Sequence, residues 1–127
     1  MPARVLMENN EAIALLDAFP LVEGHTLVIP KSHYAKIQDM EKHDAMAMFE
    51  IACKVAGAVE TGSNAKASII AIHNGTDAGQ EIPHVHIHLV PRKTSDGAGP
   101  IHSMFKNKAK LTPGEMDSLQ EKIIADI

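Results

Sequence analysis

The alternation of apolar and polar positions is most regular between residues 83 and 92. There a histidine alternates with an aliphatic residue over six positions, from His84 to Leu89. Successive side chains of a strand point to opposite faces, so we expect one β-strand with three imidazoles on one face and an apolar face toward the core. Pro83 fits the start of this strand and Pro91 its end, because proline cannot donate to a ladder inside a sheet.

Four more short apolar runs predict strands. The first two, residues 4–8 and 12–16, flank a polar turn with two asparagines, which is typical of a hairpin. The third runs from His25 to Pro30, where the proline ends it. The fourth, residues 66–72, is rich in isoleucine and precedes the histidine strand.

Between the third and fourth strands the period lengthens to three and four residues, which predicts an amphipathic helix from about Lys42 to Glu60. Its predicted core face consists of Ala45, Met48, Phe49, Ala52, Val55, Ala56 and Val59. Gly62 is placed for a left-handed C-terminal cap. A last helix is predicted at the C-terminus, where Thr112, Pro113 and Glu115 form a capping box. The order β-β-β-α-β-β-α favours an α+β fold with a largely antiparallel sheet.

The composition is that of one globular domain, with 127 residues of which 45% are hydrophobic and 22% charged. The net charge of −4 provides no basic field, so we expect neither a nucleic-acid nor a membrane partner. No signal peptide or spanning apolar run is visible, which predicts a cytoplasmic protein. Cys53 is the only cysteine and fits a reducing compartment. Its position inside the first helix predicts a small core residue.

Three imidazoles on one face are costly to bury without partners, so the histidine strand is expected to carry chemistry. Histidines two residues apart on a strand can share a zinc ion. An imidazole nitrogen can instead attack phosphorus or a carbonyl carbon, or the face can be purely structural. The preceding loop favours catalysis on an anion, because Asn74, Gly75, Gly79 and Gln80 supply amide donors and small residues there.

Two segments resemble the histidine triad (HIT) superfamily. Residues 79–92, GQEIPHVHIHLVPR, are similar to its His-x-His-x-His motif followed by two apolar residues. Residues 23–31, EGHTLVIPK, are similar to its Pro-Gly-His-x-Leu-Val-x-Pro segment. The resemblance implies a single HIT domain over residues 1–127, with a core at 12–92 and a C-terminal extension at 93–127. The tail looks closer to the fragile-histidine-triad and bacterial HIT hydrolase branches.

The resemblance also implies a fold and an activity. The fold would be a five-stranded antiparallel sheet with one long central helix and a C-terminal helix, commonly paired into a homodimer. The activity would be that of a nucleotide hydrolase or transferase, in which His86 attacks the α-phosphorus of a phosphoramidate or dinucleoside polyphosphate. A covalent nucleotidyl-histidine would form, and water would hydrolyse it.

The remaining site residues follow from the same resemblance. His84 and His88 would orient His86 and stabilise the phosphate, with His25 in the surrounding shell. Gln80 would hydrogen-bond the phosphate or the bridging atom. The residues that would hold a purine nucleotide are Asp17 for the ribose hydroxyls, Leu15 and Phe19 for the base, and Asn74 and Gly79 at the phosphate. No cofactor or protein-bound metal is implied, although a polyphosphate substrate can arrive with magnesium.

Some positions depart from the family pattern. Glu81 stands where many members carry a hydroxyl residue, and His73 stands where asparagine is frequent. A carboxylate at position 81 would repel phosphate if it pointed inward, so a non-catalytic nucleotide-binding or scaffold protein on the same fold is a second hypothesis. A zinc-dependent enzyme that uses the triad as ligands is a third. The other histidines, His33, His43 and His102, match no family role and are expected at the surface or in packing.

Overall fold

The computed structural model describes residues 3–127, and within them it contains five strands and two α-helices. The strands are β1 (Val5–Glu8), β2 (Ala12–Leu16), β3 (Thr26–Pro30), β4 (Ala67–Ala71) and β5 (Ile87–Arg92), and the helices are α1 (Lys42–Gly62) and α2 (Pro113–Ala125). All neighbouring strands are antiparallel, in the order β1-β2-β3-β5-β4. The predicted α+β class, with its five-stranded antiparallel sheet, long helix and C-terminal helix, is confirmed.

The first hairpin forms because Asn9 organises its turn. The Oδ1 atom of Asn9 accepts hydrogen bonds from the backbone N–H groups of Glu11 (2.9 Å) and Ala12 (2.8 Å). Its Nδ2 atom donates to the carbonyl of Ala47 in α1 at 3.3 Å. A single polar side chain thus closes the turn and ties it to the helix that covers the sheet.

The core lies between α1 and one face of the sheet. The buried apolar residues of this core are Ala12, Ala14, Val28, Met48, Ile51, Ala52, Val55, Val59, Val85, Ile87 and Leu89. The packed face of α1 differs from the predicted one, because Ile51 is buried whereas Phe49 is 47% exposed. The expectation that Cys53 belongs to the core is wrong, since its side chain is exposed. A helix turns by about 100° per residue, so Cys53 lies beside the packed face that Ala52 occupies.

Strand β5 is shorter than the histidine pattern predicts. It begins at Ile87, so the prediction of one strand from Pro83 onward is wrong, and His84 precedes the strand. The backbone N–H of Val85 donates to the carbonyl of Tyr34 at 2.7 Å, and the carbonyl of Pro30 accepts from the His84 ring at 2.9 Å. The last acceptor of β3 is therefore taken by a side chain, and the ladder ends there.

The alternation of burial nevertheless extends beyond β5. Val85 is 1% exposed and Leu89 is fully buried, whereas the three histidines of the motif are half-buried. Pro91 lies inside β5 and not after it. Strand β3 pairs with β5 only as far as Leu89, so Pro91 lies where β5 is paired with β4 alone. A proline is tolerated there because one side of the strand needs no donor.

The chain divides into two compact units, the second of which runs from Gly97 to Ile127. Helix α2 in this unit has the predicted capping box, in which Thr112 and Glu115 bond each other's backbone N–H groups. In the first unit, α1 includes Gly62 as its last residue, and the left-handed conformation belongs to Asn64 instead (φ 55°). None of the helices in residues 3–127 combines the length and apolar character that a membrane span needs.

Candidate active site

On the sheet face opposite α1, residues that are partners in the strand register form a row across the sheet. Leu15 pairs with Leu27, Leu27 with His88, and His88 with Ala71. Opposed residues of neighbouring strands lie on the same face, so an apolar surface leads across the sheet to the His88 ring. Leu27 was not among the predicted site residues. It lies in β3 two residues after His25, and this spacing along an extended chain places both side chains on the same face.

Four imidazoles form a cluster around His88. The ring centroid of His88 lies 4.7 Å from that of His86, 5.1 Å from that of His73 and 5.2 Å from that of His25. The structure therefore brings together three of the predicted catalytic histidines. His73, whose role the sequence left open, joins them because it lies two residues beyond Ala71, the partner of His88. The remaining predicted histidine, His84, lies outside this cluster.

Hydrogen bonds determine which nitrogen carries the proton in two of the neutral rings. The Nδ1 atom of His25 accepts the backbone N–H of Leu21 at 3.1 Å, so its proton is on Nε2. That Nε2 atom lies 3.0 Å from Nδ1 of His88 and donates to it. His88 then carries its own proton on Nε2. A backbone amide thus fixes the tautomer of both rings and leaves the Nε2–H of His88 for a ligand.

The tautomer of His86 is fixed in the opposite sense. Its Nδ1 atom lies 2.8 Å from the backbone carbonyl of His84, and a carbonyl can only accept. Nδ1 therefore carries a proton, and in the neutral ring Nε2 carries a lone pair. An imidazole nitrogen with a lone pair is a nucleophile.

Burial keeps the inner rings of the cluster neutral. It lowers the pKa of His88 to about 4, with His86, His25 and His73 contributing in the same direction. Burial also lowers the pKa of His25, which Asp17 opposes in part. Both rings are consequently neutral at pH 7, as the hydrogen bonds between them require.

His84 is paired with His33 instead of with the cluster. Nε2 of His84 donates to the carbonyl of Pro30, so its Nδ1 accepts from Nδ1 of His33 at 3.0 Å. His33 matches no role in the resemblance, yet it contacts the first histidine of the motif, with 5.1 Å between ring centroids. This contact links residues far apart in the chain, and no local sequence signal marks it. The two hydrogen bonds of its ring, to Pro30 and to His33, hold His84 in place, and the backbone carbonyl of His84 orients the His86 ring.

The loop before β5, residues 73–86, is tied to the segment between β3 and α1. Nε2 of Gln80 donates to the carbonyl of Ala35 (2.8 Å), and Oε1 of Gln80 accepts the backbone N–H of Gly75 (2.9 Å). Oδ1 of Asn74 accepts the backbone N–H of Ile37 (2.9 Å). Both side chains predicted at the phosphate therefore also hold the loop in place. One N–H of the Gln80 amide is left for another acceptor.

The glycines of this loop adopt conformations that other residues rarely take. Gly75 has φ +111° and Gly79 has φ +100°. A Cβ atom at Gly79 would lie 3.9 Å from the His73 ring, so the loop backbone runs beside the imidazole cluster. Glu81, which follows directly, is exposed.

The predicted nucleotide-binding residues lie at different depths. Oδ1 of Asp17 accepts the backbone N–H of Phe19 at 2.9 Å, and Oδ2 lies 3.6 Å from Nδ1 of His25. Leu15 is half-buried in the row described above. Phe19 stands apart, because its side chain is 87% exposed. The carboxylate of Asp17 and the Leu15 side chain thus border the cluster, whereas Phe19 extends into solvent.

Three potential metal ligands meet at the edge of the cluster. Ligand atoms of Asp17, His25 and His88 lie within 4.8 Å of one another. Both nitrogens of His25 are already in hydrogen bonds, one with Leu21 and one with His88, and a metal ion would have to displace one of these. The residues as arranged fit a hydrogen-bonded relay better than a metal centre.

Comparison with known proteins gives consistent results. The profile of the HIT domain family matches residues 1–95. The chain is 35% identical over 94 residues to a bis(5'-nucleosyl)-tetraphosphatase of Schizosaccharomyces pombe, which covers 74% of this chain and 52% of that protein. It is 32% identical over 110 residues to an adenylylsulfatase of Arabidopsis thaliana, which covers 87% and 56%. The chain thus spans about half the length of these curated relatives.

A solved structure extends the similarity to the whole chain. The crystal structure of a HIT family protein from Bacillus subtilis superposes with a TM-score of 0.88 at 28% identity. The match covers 100% of this chain and 89% of that one.

Proposed function

The chain belongs to the HIT domain family, and on that basis we propose that it is a nucleotide hydrolase or transferase that cleaves a nucleoside phosphate derivative at the α-phosphorus. The observation that carries the proposal is the lone pair on Nε2 of His86, which follows from the bond between its Nδ1–H and the carbonyl of His84. The names of the two curated relatives, a nucleosyl tetraphosphatase and an adenylylsulfatase, support a nucleotide substrate.

The proposed reaction consists of two displacements. Nε2 of His86 forms a bond to the α-phosphorus while the bond to the leaving group breaks, and the leaving group keeps the electron pair and takes a proton from solvent. Water then attacks the phosphorus, the P–N bond breaks with its electron pair returning to Nε2 of His86, and the proton that the water loses passes to solvent. The Nε2–H of neutral His88 donates to a non-bridging oxygen, where negative charge must be stabilised in both steps.

The proposed binding mode follows the sheet face that carries the cluster. Leu15 and Leu27 support a purine base, and Asp17 accepts from the ribose hydroxyls. Phe19 is available at the rim to cover the base. Amide donors at the phosphate come from Asn74, Gly79 and the second N–H of Gln80. A polyphosphate substrate would bring its own magnesium, and His86 needs no metal to act as a nucleophile.

The His86→Asn variant tests this proposal. Asparagine cannot form the phosphorus–nitrogen intermediate, so kcat/KM should fall by at least about 10⁴-fold. The assay panel comprises an adenosine phosphoramidate, adenylyl sulfate, and diadenosine tri- and tetraphosphate. The His102→Asn variant, which changes an exposed histidine outside the cluster, should retain full activity. A His86→Asn variant with more than a tenth of the wild-type rate would overturn the mechanism.

A second candidate is nucleotide binding without turnover. The use of Gln80 and Asn74 within the loop favours it, because donors already engaged stabilise a transition state less. Saturable AMP binding, with no product from any substrate of the panel and no covalent label on the protein, would support this candidate.

Loss of activity after thorough chelation, restored by zinc, would instead support a zinc-dependent enzyme.

We also propose that the chain forms a homodimer through β4. This strand is at an edge of the sheet, and its Ile70 side chain is 51% exposed. An open edge with an apolar side chain is a template for pairing with another strand. Met46 and Phe49 on α1, which are 62% and 47% exposed, add apolar surface in the same unit.

A further inference from the structure

The backbone groups before and after Lys36 are both hydrogen-bonded to the loop that contains Gly75 and Gly79. The preceding carbonyl, that of Ala35, accepts from Nε2 of Gln80 at 2.8 Å. The following N–H, that of Ile37, donates to Oδ1 of Asn74 at 2.9 Å. These two bonds fix the backbone at Lys36 over residues 74–80.

The side chain of Lys36 extends over Gly75. A Cβ atom built on Gly75 would lie 3.5 Å from Cε and 3.7 Å from Nζ of Lys36. Lys36 is half-buried, and within residues 3–127 its ammonium group forms no ion pair. A half-buried lysine packs its methylene stem on the protein and keeps its ammonium group accessible to a ligand. In a chain with a net charge of −4, this local cation is suited to an anionic ligand.

The loop leads from the imidazole cluster to this ammonium group. Gly79 lies beside His73, which contacts His88, while Gln80 is bonded to Gly75. A row of phosphates along the loop would therefore begin near His86 and continue toward Lys36. Gly75 has no side chain that would separate the ammonium group from the loop backbone.

We propose that Lys36 binds the phosphate next to the one that His86 attacks. It thereby makes the chain selective for nucleotides whose leaving group carries phosphate over those whose leaving group is uncharged. A lysine ammonium is a compact point charge that suits a phosphate. This inference rests on the proposed nucleotide site.

The test compares AMP with ATP as ligands, measured by calorimetry with His86→Asn in every variant to prevent turnover. Lys36→Gln should weaken ATP binding about tenfold and change AMP binding by less than about twofold, because only ATP reaches the ammonium group. Lys36→Arg should keep most of the preference for ATP, because it keeps the charge. Lys66→Gln is the matched control, since this exposed lysine precedes β4 at the end remote from His88. It should leave both affinities unchanged.

An equal change in ATP and AMP affinity, or no change, on Lys36→Gln would overturn the inference. If the protein does not bind AMP at all, the proposed nucleotide function fails, and inorganic tripolyphosphate then decides the role of Lys36. Binding of tripolyphosphate that Lys36→Gln weakens and Lys66→Gln does not would uphold the phosphate contact by itself. Absence of that binding, or indifference to Lys36, would overturn the inference as well.

Discussion

His25 and His88 form a hydrogen-bonded pair whose bonds require both rings to be neutral. If His88 were protonated, its Nδ1 would carry a hydrogen and could not accept from Nε2 of His25, which is 3.0 Å away. The low pKa of His88, about 4, prevents this over the range in which an ordinary histidine titrates. In the proposed mechanism, the N–H that His88 offers to a phosphate oxygen is therefore present from pH 5 upward.

The same low pKa makes stability depend on pH. Between pH 6.5 and about 4 the unfolded chain binds a proton at His88 that the folded chain does not bind, so the free energy of unfolding should fall as the pH falls. Above pH 6.5 this contribution is fully present. Between pH 7 and pH 5 we expect a loss of about 1 kcal/mol from His88 after allowance for its partial exposure.

Urea unfolding at pH 7 and pH 5 measures this dependence. His88→Asn should lose less stability on acidification than the wild type, because the shifted group is gone. His102→Asn, at an exposed position in the other unit, should follow the wild type. Parallel curves for His88→Asn and the wild type would contradict the assignment.

The sequence predicted on which face of the chain His86 and His88 lie better than it predicted which residues they contact. A period of two was enough to put His86 and His88 on one side of an extended segment. The contacts of His33 with His84 and of His73 with His88 depend on strand register and on a long connection, which no local pattern encodes. Phe19 was predicted to contact the base, but the sequence does not show what covers its side chain, which is 87% exposed.

At the scale of elements, the turn before β3 controls where His25 enters the site. Gly24 in this turn has φ +90°, and a Cβ atom there would lie 1.8 Å from Oγ of Ser63 at the end of α1. It would also lie 3.1 Å from Cγ of Pro91 in β5. The turn, α1 and β5 therefore meet at a point that only glycine can occupy.

Gly24→Ala should consequently destabilise the protein by about 2–4 kcal/mol, through both the left-handed backbone and the collision with Ser63. Gly57→Ala provides the contrast, because no atom lies within 4 Å of a Cβ at this position inside α1. It should stabilise the protein by about 0.5–1 kcal/mol through helix propensity alone. Denaturant unfolding with circular dichroism compares the two, and similar effects of both substitutions would refute the steric explanation.

The elements themselves were largely predictable. Hydrophobic periodicity located four of the five strands within one residue at each end, because each is bounded by a turn residue or a proline. It failed at the start of β5, where the carbonyl of Pro30 accepts from the His84 ring and not from a backbone N–H of a neighbouring strand. It also misplaced part of the packed face of α1, since Phe49 and Ile51 are both apolar and both lie at helical spacing from Ala52 or Val55.

At the scale of the whole molecule, each edge of the sheet exposes an aliphatic side chain. Ile70 on β4 is 51% exposed and Leu6 on β1 is 43% exposed. Under the proposed dimer, Ile70→Lys should shift the sedimentation mass from two chains to one, because a charge at a paired edge opposes association. Leu6→Lys should leave the dimer intact. A wild-type monomer at micromolar concentration, or dissociation by Leu6→Lys alone, would rule out pairing through β4.

The row formed by Leu15, Leu27, His88 and Ala71 has a consequence for how the chain reaches its native state. A slip of β5 by one residue against its neighbours would turn Leu89 outward and press an imidazole into the aliphatic core. Such a misaligned chain would lose both the exposed histidine face and much of its apolar burial in one error. Because the alternation couples the two losses, a sheet in which only β5 is out of register still loses both. A one-residue register error in this sheet therefore yields an unstable chain, and not a stable fold that lacks only the histidine face.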